Sequence, residues 1–358
     1  MPKARVRIHV ENNAETEALR FTPAHLERIL ATHPGLRERL AVTINDDPGR
    51  TDGQSDAEIL FAVRKPKSLA DGRQLRWVQS TSAGVEALLP LMPPGAVLTN
   101  ASGVHREKGG EFILAAVLML NYAIPRFASD KQHRRWAPRF ESTVAGKRAM
   151  LLGVGAIGGE GARLLRLVGA TTIGVTRSGG GREHVDRSVT FAEIDAFLPQ
   201  ADFLVSSLPL TRETERMIDR RRLDLLPRHA GVAIVGRAKV FDCDALLAKL
   251  DDETLSGAVL DVFPEEPLAP ESRFWTAPNL VMTPHCSVDD HAVYMEPLRR
   301  ALRRQSRALS RRRPAAERGR SGARLLRRKT PSGRRRRIDS AGFMFSVRSS
   351  AARPARPT

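Results

Sequence analysis

Three polar segments stand at the carboxyl ends of predicted strands and carry side chains suited to acid–base chemistry. Arg237 ends the segment Ile234-Val-Gly-Arg237, Glu266 lies within Leu260–Pro267, and His285 ends Met282-Thr-Pro-His285. Ligands of open α/β sheets bind at this edge. An arginine there can hold a carboxylate in a bidentate manner and polarise an adjacent carbonyl. A His–Glu pair would keep the imidazole protonated near neutral pH. Taken one at a time, such an arginine is more often a surface charge, such a glutamate a turn residue and such a histidine a loop residue.

A glycine-rich segment, Leu151–Gly158, has the pattern of a dinucleotide-binding turn. It follows an apolar run and opens onto Glu160–Val168, whose apolar residues recur at helical spacing. In such a strand–turn–helix unit, Gly153 would permit the tight turn, Gly155 would let the backbone approach a pyrophosphate, and Gly158 would let the helix pack on the strand. The phosphates would lie at the positive end of that helix. The flanking strand and helix favour this interpretation over a merely flexible glycine loop.

The next predicted strand, Gly169–Ser178, ends in residues that bear on the choice of cofactor. An NAD site places an acid about 20 residues after the glycines, where it binds the ribose 2′-hydroxyl. This chain has Thr176, Arg177 and Ser178 at that place and no acid. A guanidinium and two hydroxyls suit a 2′-phosphate, so the sequence favours NADP(H), with NAD(H) as the second choice. The alternative is that Arg177 is a solvated surface charge.

The elements that must position these residues are short apolar runs alternating with helical patterns. A first helix is predicted from Pro23, with Thr22 as its N-cap, and one long helical pattern runs from Val104 to Ile124, stopped by Pro125. The other strand candidates are, in chain order, Arg5–Val10, Ala41–Ile44, Glu58–Val63, Leu75–Gln79, Phe203–Ser207, Gly231–Val235 and Ser256–Asp261. This alternation predicts an α/β protein with parallel, doubly wound sheets.

The charge of the chain is concentrated at its C-terminal end. The formal net charge is +18 over 358 residues, yet residues 303–358 hold 19 Lys/Arg against two acids, and residues 1–302 hold 39 bases against 38 acids. The tail has few aromatics, so any nucleic-acid affinity should be non-specific and steeply salt-dependent. The chain has two cysteines and no disulfide framework, which fits a reducing compartment. We find no signal segment and no apolar run long enough to span a bilayer. The sequence therefore predicts a cytoplasmic protein that does not enter membranes.

Several motifs resemble those of the D-isomer-specific 2-hydroxyacid dehydrogenase family, over roughly residues 58–302. In the family's order and spacing, the chain has the Gly153–Gly158 turn, Leu208–Thr211 with Glu213-Thr214, Gly236-Arg237, Gly257–Phe263 with Glu266–Leu268, and Thr283-Pro-His285. Ser80–Val85 and Asn100–His105 resemble the family's substrate loop and interdomain segment. Several matched motifs in order make this resemblance specific.

The resemblance implies two doubly wound parallel-sheet domains, with a Rossmann NAD(P)-binding domain inserted into a flavodoxin-like substrate domain. The implied boundaries are residues 1–100 for the first part of the substrate domain, 101–286 for the Rossmann domain, 287–304 for a returning helix and 305–358 for an Arg-rich tail. We interpret that tail as disordered or as the product of a frameshift near Arg303, which resequencing would test. The family also implies a homodimer, and no metal site is expected.

The resemblance also implies roles for individual residues. Arg237 would bind and polarise the substrate, His285 would be the acid/base, and Glu266 would pair with His285. The backbone near Ala83, Gly84 and Val85 would hold the substrate carboxylate together with Arg237. The cofactor would contact a larger set, in which Asp261 faces the nicotinamide end: Gly153, Gly155, Ala156, Ile157, Gly158, Thr176, Arg177, Ser178, Leu208, Pro209, Thr214 and Asp261.

The chain departs from the family pattern beside these residues. Ala238 follows Arg237 where glycine is usual, Ile234 replaces an asparagine, and Cys286-Ser287 replaces a small pair after His285. Gly109-Gly110 stands where Val-Ala is commoner. We expect these changes to shift loop geometry and lower activity, although the three proposed catalytic side chains remain.

Three functions are compatible with this pattern. The first is an oxidoreductase that moves hydride between NAD(P)H and a small 2-oxo acid, with glyoxylate and hydroxypyruvate as plausible substrates. The second is a non-catalytic NAD(P)-sensing, corepressor-like protein, because one branch of the family uses the same fold in that way. The third is nucleic-acid binding through the Arg-rich tail. Arg237, Glu266 and His285 favour the enzyme over the sensor.

Overall fold

The computed structural model describes residues 5–12, 20–31, 34–47, 55–63, 66, 68–70 and 72–289. The chain forms two compact units: one includes the residues up to Val104, and the other runs from His105 to Asp290. The predicted returning helix after residue 287 and the Arg-rich tail fall almost entirely outside the described residues.

The first unit is built on a five-stranded parallel sheet. Its strands are β1 (Val6–Glu11), β2 (Leu40–Asn45), β3 (Ile59–Ala62), β4 (Trp77–Ser80) and β5 (Val97–Thr99). They lie in the order β2-β1-β3-β4-β5, and every neighbouring pair is parallel. This is the flavodoxin-like order, which has its switch point between β1 and β3.

The central strand of this sheet is buried on both faces, as expected when a parallel sheet is covered on each side. All four residues of β3 are buried, and Phe61 packs edge-on against Phe21 with ring centroids 5.6 Å apart. Helix α1 (Pro23–Ala31) begins where its sequence predicts: Thr22 O accepts the N–H of Leu26 at 3.2 Å, and Pro23 occupies the first helical position.

The second unit is built on a seven-stranded parallel sheet. Its strands are β6 (Arg148–Leu152), β7 (Thr171–Thr176), β8 (Arg187–Thr190), β9 (Phe203–Ser206), β10 (Gly231–Ile234), β11 (Gly257–Leu260) and β12 (Leu280–Met282). The order is β12-β11-β10-β9-β6-β7-β8. With β6 counted as the first strand, this is the Rossmann order 3-2-1-4-5-6 with a seventh strand added. The predicted fold class is therefore confirmed.

The helices of the second unit are α2 (Arg106–Asn121), α3 (Ile124–Gln132), α4 (Ala156–Leu167), α5 (Ile194–Phe197), α6 (Arg220–Asp224) and α7 (Cys243–Asp251). The predicted end of the long helix is wrong: the sequence pattern runs from Val104 to Ile124 and is stopped by Pro125. Helix α2 ends at Asn121, and Ala123 adopts a left-handed φ of 53°. Pro125 then lies in the first turn of α3, where its missing N–H costs nothing.

The described residues contain no single helix long and apolar enough to cross a membrane; only α2 and α3 taken together, bent by 60° at their junction, meet that length and composition.

The unusual glycine pair in α2 has a packing reason. A Cβ placed on Gly110 would lie 2.4 Å from Glu160 Cγ on α4, and one placed on Gly161 would lie 2.8 Å from Ile113. The two helices therefore approach too closely for larger residues. The carboxylate of Glu160 is buried there and binds Arg106 at 3.0 Å and Arg163 at 2.6 Å. Hydrogen bonds from Arg163 and Arg106 lower the pKa of Glu160 against the opposing effect of burial.

Candidate active site

The glycine-rich turn joins β6 to α4 and has the geometry needed to face a pyrophosphate. Gly153 has φ +86°, a conformation that side chains disfavour. A Cβ on Gly158 would lie 2.0 Å from Gly153 O, so the helix packs directly on the turn. A Cβ on Gly155 would meet nothing within 4 Å, which leaves its surface open. Helix α4 starts at Ala156 and Ile157, and its first N–H groups are available for an anion.

The end of β7 carries the three residues predicted to select the cofactor. Thr176 is the last strand residue; it is buried, and its hydroxyl has no hydrogen-bond partner among the described residues. Arg177 is 72% exposed, and its Nε donates to Glu213 Oε2 at 2.8 Å. Ser178 is exposed beside it. The structure therefore places a buried hydroxyl, a guanidinium and an exposed hydroxyl in succession at the ligand-binding edge.

The loop after β9 packs against the glycine-rich turn. Leu208 is buried, and its Cδ2 would lie 2.9 Å from a Cβ on Gly153. Thr214 Oγ1 donates to Pro209 O at 2.7 Å and thereby closes the loop on itself. Leu208, Pro209 and Thr214, which were predicted to contact the cofactor, therefore lie in one hydrogen-bonded loop at the carboxyl edge of the sheet.

Arg237 follows β10 at the same edge of the sheet. It is half-buried, and its Nη1 donates to Gly236 O at 2.8 Å. The two departures beside it fit the local packing: Ile234 is fully buried as the last residue of β10, and Ala238 is buried in a short 3₁₀-helix without a positive φ. A methyl group at position 238 is thus compatible with this backbone.

His285 and Glu266 come together after β12 and β11. His285 Nδ1 lies 2.6 Å from Glu266 Oε2, and Glu266 Oε1 accepts the N–H of Phe263 at 2.8 Å. His285 has φ 49°, and its own N–H donates to Asp261 O at 2.8 Å. Histidine tolerates this left-handed region better than most residues. The backbone thus fixes both members of the pair.

Asp261 anchors the segment that carries His285. It is fully buried, and its Oδ1 accepts the N–H groups of Cys286 and Ser287, each at 3.1 Å. The hydroxyls of Thr283 and Ser287 donate to the same oxygen at 2.7 and 2.6 Å. The Cys286-Ser287 departure therefore supplies a hydroxyl that holds this segment. Asp261 Oδ2 is buried without a hydrogen-bond partner among the described residues.

A second histidine, His105, lies close enough to influence this segment. The sequence places it only in the interdomain segment, without a chemical role. Its Nδ1 lies 3.2 Å from Asp289 Oδ1, and its ring is 8% exposed. Burial lowers the pKa of His105 below its ordinary value, against the opposing effects of Asp289 and the Val288 backbone, and the nearby charge of His285 lowers it further.

The predicted substrate loop belongs to the first unit and follows β4. Ala83 O accepts Asn100 Nδ2 at 2.7 Å, and the N–H of Ala101 donates to Ser82 O at 3.1 Å. Ala83, Gly84 and Val85 are half-buried. The loop is thus held by hydrogen bonds to the segment after β5, at the carboxyl end of its own sheet.

Comparison with known proteins supports the resemblance noted from the motifs. The family model for the NAD-binding domain of D-isomer specific 2-hydroxyacid dehydrogenases matches residues 114–287. A glyoxylate/hydroxypyruvate reductase A from Salmonella paratyphi B is 30% identical over 240 residues, which cover 64% of this chain and 76% of that protein.

Solved structures give the same result. A D-isomer specific 2-hydroxyacid dehydrogenase from Xanthobacter autotrophicus Py2, in complex with NADPH and MES, is similar with a TM-score of 0.73 and 28% identity, over 85% of this chain and 96% of that one. An NADPH-dependent glyoxylate/hydroxypyruvate reductase from Sinorhizobium meliloti, in complex with NADP and sulfate, has a TM-score of 0.69 and 27% identity, over 84% and 96%. The chain therefore belongs to the D-isomer specific 2-hydroxyacid dehydrogenase family and is an NAD(P)-dependent oxidoreductase.

Proposed function

We propose that this protein reduces small 2-oxo acids of the glyoxylate and hydroxypyruvate type, with NADPH preferred over NADH. The observation that carries the proposal is the His285–Glu266 pair, with Nδ1 and Oε2 2.6 Å apart. A carboxylate on one side of the ring stabilises the imidazolium and directs the other nitrogen, Nε2, to the substrate. The pair favours an enzyme over a protein that only senses NAD(P).

Each residue has a stated task in the proposed reaction. Arg237 binds the substrate carboxylate and stabilises the negative charge that develops on the C2 oxygen. His285 donates the proton to that oxygen, and Glu266 holds the ring in position. The bound NADPH supplies the hydride that reaches C2.

The residues present suit the cofactor. The open face of Gly155 admits a pyrophosphate, and the buried, unpartnered Asp261 Oδ2 is an acceptor for an amide donor such as the carboxamide of a nicotinamide. Arg177 and Ser178 offer an exposed guanidinium and an exposed hydroxyl to a 2′-phosphate, and the buried, unpartnered hydroxyl of Thr176 precedes them. The relatives from Xanthobacter and Sinorhizobium carry NADPH or NADP, which also supports the NADPH preference.

We further propose a homodimer that buries the segment between α3 and β6. Trp136 is 97% exposed and Phe140 is 95% exposed in the chain described alone. Large apolar side chains with this exposure are typical of an interface. Light scattering should give the mass of a dimer, and a Trp136→Ser, Phe140→Ser variant should give that of a monomer. A monomeric parent would contradict the proposal.

The free cysteines, Cys243 and Cys286, suit a reducing compartment such as the cytoplasm.

A panel of 2-oxo acids assayed with NADPH and NADH tests the function. We expect turnover of glyoxylate or hydroxypyruvate, with a higher kcat/KM for NADPH. Tight NADPH binding without turnover of any oxo acid would instead support the NAD(P)-sensing alternative. Turnover with a higher kcat/KM for NADH would contradict the cofactor preference.

A further inference from the structure

We propose that Glu213 determines cofactor specificity, because it competes with a 2′-phosphate for the guanidinium of Arg177. Removing the charge of Glu213 should tighten the binding of NADPH without tightening that of NADH. The inference rests on the proposed use of NADPH. It adds a specificity-determining residue in the loop after β9, across the glycine-rich turn from Arg177.

The ion pair spans the part of the sheet where a dinucleotide would enter. Arg177 is the first residue after β7, and Glu213 lies in the loop after β9. These strands flank β6 on its two sides, and β6 leads into the glycine-rich turn. The 2.8 Å bond from Arg177 Nε to Glu213 Oε2 therefore joins the two loops that border that turn.

Hydrogen bonds hold the backbone on either side of Glu213, whereas its side chain is exposed. Thr211 and Thr214 bracket it: the N–H of Thr211 donates to Thr214 Oγ1 at 2.8 Å, and the N–H of Thr214 donates to Thr211 Oγ1 at 3.3 Å. Thr214 is 3% exposed, but the side chain of Glu213 is 56% exposed. Because exposed ion pairs are weak, an incoming phosphate can displace this carboxylate.

Two arrangements are available once a 2′-phosphate approaches Arg177, and in both of them Glu213 weakens the binding of NADPH. If the phosphate displaces Glu213, binding loses the free energy of the ion pair. If the guanidinium, with its five donors, binds both groups, carboxylate and phosphate lie close together and repel. Glu213 therefore opposes NADPH in either case.

NADH meets the same residue differently. It presents a 2′-hydroxyl, which an acid accepts in NAD sites. The end of β7 lacks such an acid, and Glu213 offers one from the neighbouring loop. Glu213 therefore reduces the difference in affinity between NADPH and NADH. Neutralising Glu213 should increase that difference in favour of NADPH.

Direct binding to the full-length chain tests this, without substrate or turnover. Dissociation constants for NADPH, NADH and 2′,5′-ADP are measured by fluorescence or calorimetry for the parent and for Glu213→Gln. The matched control is Glu215→Gln, which removes the same charge from an exposed residue two positions away that has no ion-pair partner among the described residues. We expect Glu213→Gln to bind NADPH and 2′,5′-ADP about 1.5- to 5-fold more tightly, with a gain that shrinks at high salt.

An Arg177→Ala variant separates the role of Glu213 from the placement of the 2′-phosphate on Arg177. If it loses NADPH affinity while Glu213→Gln binds like the parent, or if Glu215→Gln gives the same gain, the role of Glu213 is refuted and the NADPH site stands. If Arg177→Ala binds NADPH as tightly as the parent, the placement of the 2′-phosphate is refuted, and the role of Glu213 with it. NADH affinity that rises with NADPH affinity in Glu213→Gln would also overturn the inference.

Discussion

His285 Nδ1 and Glu266 Oε2 lie 2.6 Å apart although 19 positions separate the two residues in the sequence. The other carboxylate oxygen of Glu266 accepts the N–H of Phe263, so the backbone fixes the carboxylate from one side and the imidazole from the other. Because Nδ1 donates to this carboxylate, Nε2 is the nitrogen that can reach a substrate. This relationship leads to two predictions about turnover.

Replacing the proposed acid/base or the proposed substrate arginine should remove most activity. His285→Ala or Arg237→Ala should lower kcat/KM for oxo-acid reduction by about 10²- to 10⁴-fold, because each loses a group that acts in the transition state. NADPH binding, measured by fluorescence, should change little. Parent-like kcat in either variant, with any oxo acid that the parent reduces, would show that the residue has been misassigned.

Glu266→Gln should lower the rate of reduction. The substitution keeps the size of the side chain but replaces the carboxylate that lies 2.6 Å from His285 Nδ1 and holds the ring in position. We expect kcat/KM for oxo-acid reduction to fall by less than in His285→Ala, because the acid/base itself remains. NADPH affinity, measured by fluorescence, should not change. A parent-like kcat/KM in Glu266→Gln would show that the carboxylate is not needed to position the ring.

The interior strands were predictable because they are nearly continuous apolar runs. Strands β3, β6, β9 and β10 are each buried over at least four residues. Three strands, β5, β8 and β12, had no predicted range, and each lies at a sheet edge. Edge strands are short and partly solvated; β8 reads Arg-Ser-Val-Thr, so no apolar run marks it.

Contacts within the site were predictable only where a motif joined distant residues. Arg237, Glu266 and His285 each lie in a recognisable segment. The bond from Arg177 to Glu213 joins residues 36 positions apart, and neither loop has a pattern that points to the other. The anchoring of Asp261 by Thr283 and Ser287 depends likewise on how the loop after β12 folds back. Side-chain partners of this kind follow from tertiary packing, which periodicity does not encode.

The two cysteines should differ sharply in reactivity. Burial, helped by the charges of Asp244 and Asp242, raises the pKa of Cys243 to about 12, whereas Cys286 is exposed. Since the thiolate is the reactive form, Ellman's reagent near neutral pH should label Cys286 quickly and Cys243 only after unfolding. A Cys286→Ser variant should lose the fast phase, and a Cys243→Ser variant should keep it. Rapid labelling of Cys243 in the native Cys286→Ser variant would contradict its burial.

The burial of His105 should make stability depend on pH. Its folded-state pKa is lowered, chiefly by burial, from an ordinary value of 6.5. Between the lowered value and 6.5, the unfolded chain therefore holds a proton that the folded chain lacks. The free energy of unfolding therefore rises with pH across this window, by at most about 1.4 kcal/mol per pH unit from this residue. As the pH falls through the window, that contribution is lost.

His105→Asn isolates the contribution of this residue. Asparagine is smaller than histidine, keeps a polar side chain near Asp289 and does not titrate. Thermal midpoints of the parent and the variant are measured from about pH 5 to 8. As the pH falls, the midpoint of the parent should drop relative to that of the variant, because only the parent loses stability to protonation of His105. His133→Asn, at an exposed histidine after α3, is the matched control and should run parallel to the parent. Parallel curves for His105→Asn and the parent would show that folding does not lower the pKa of His105.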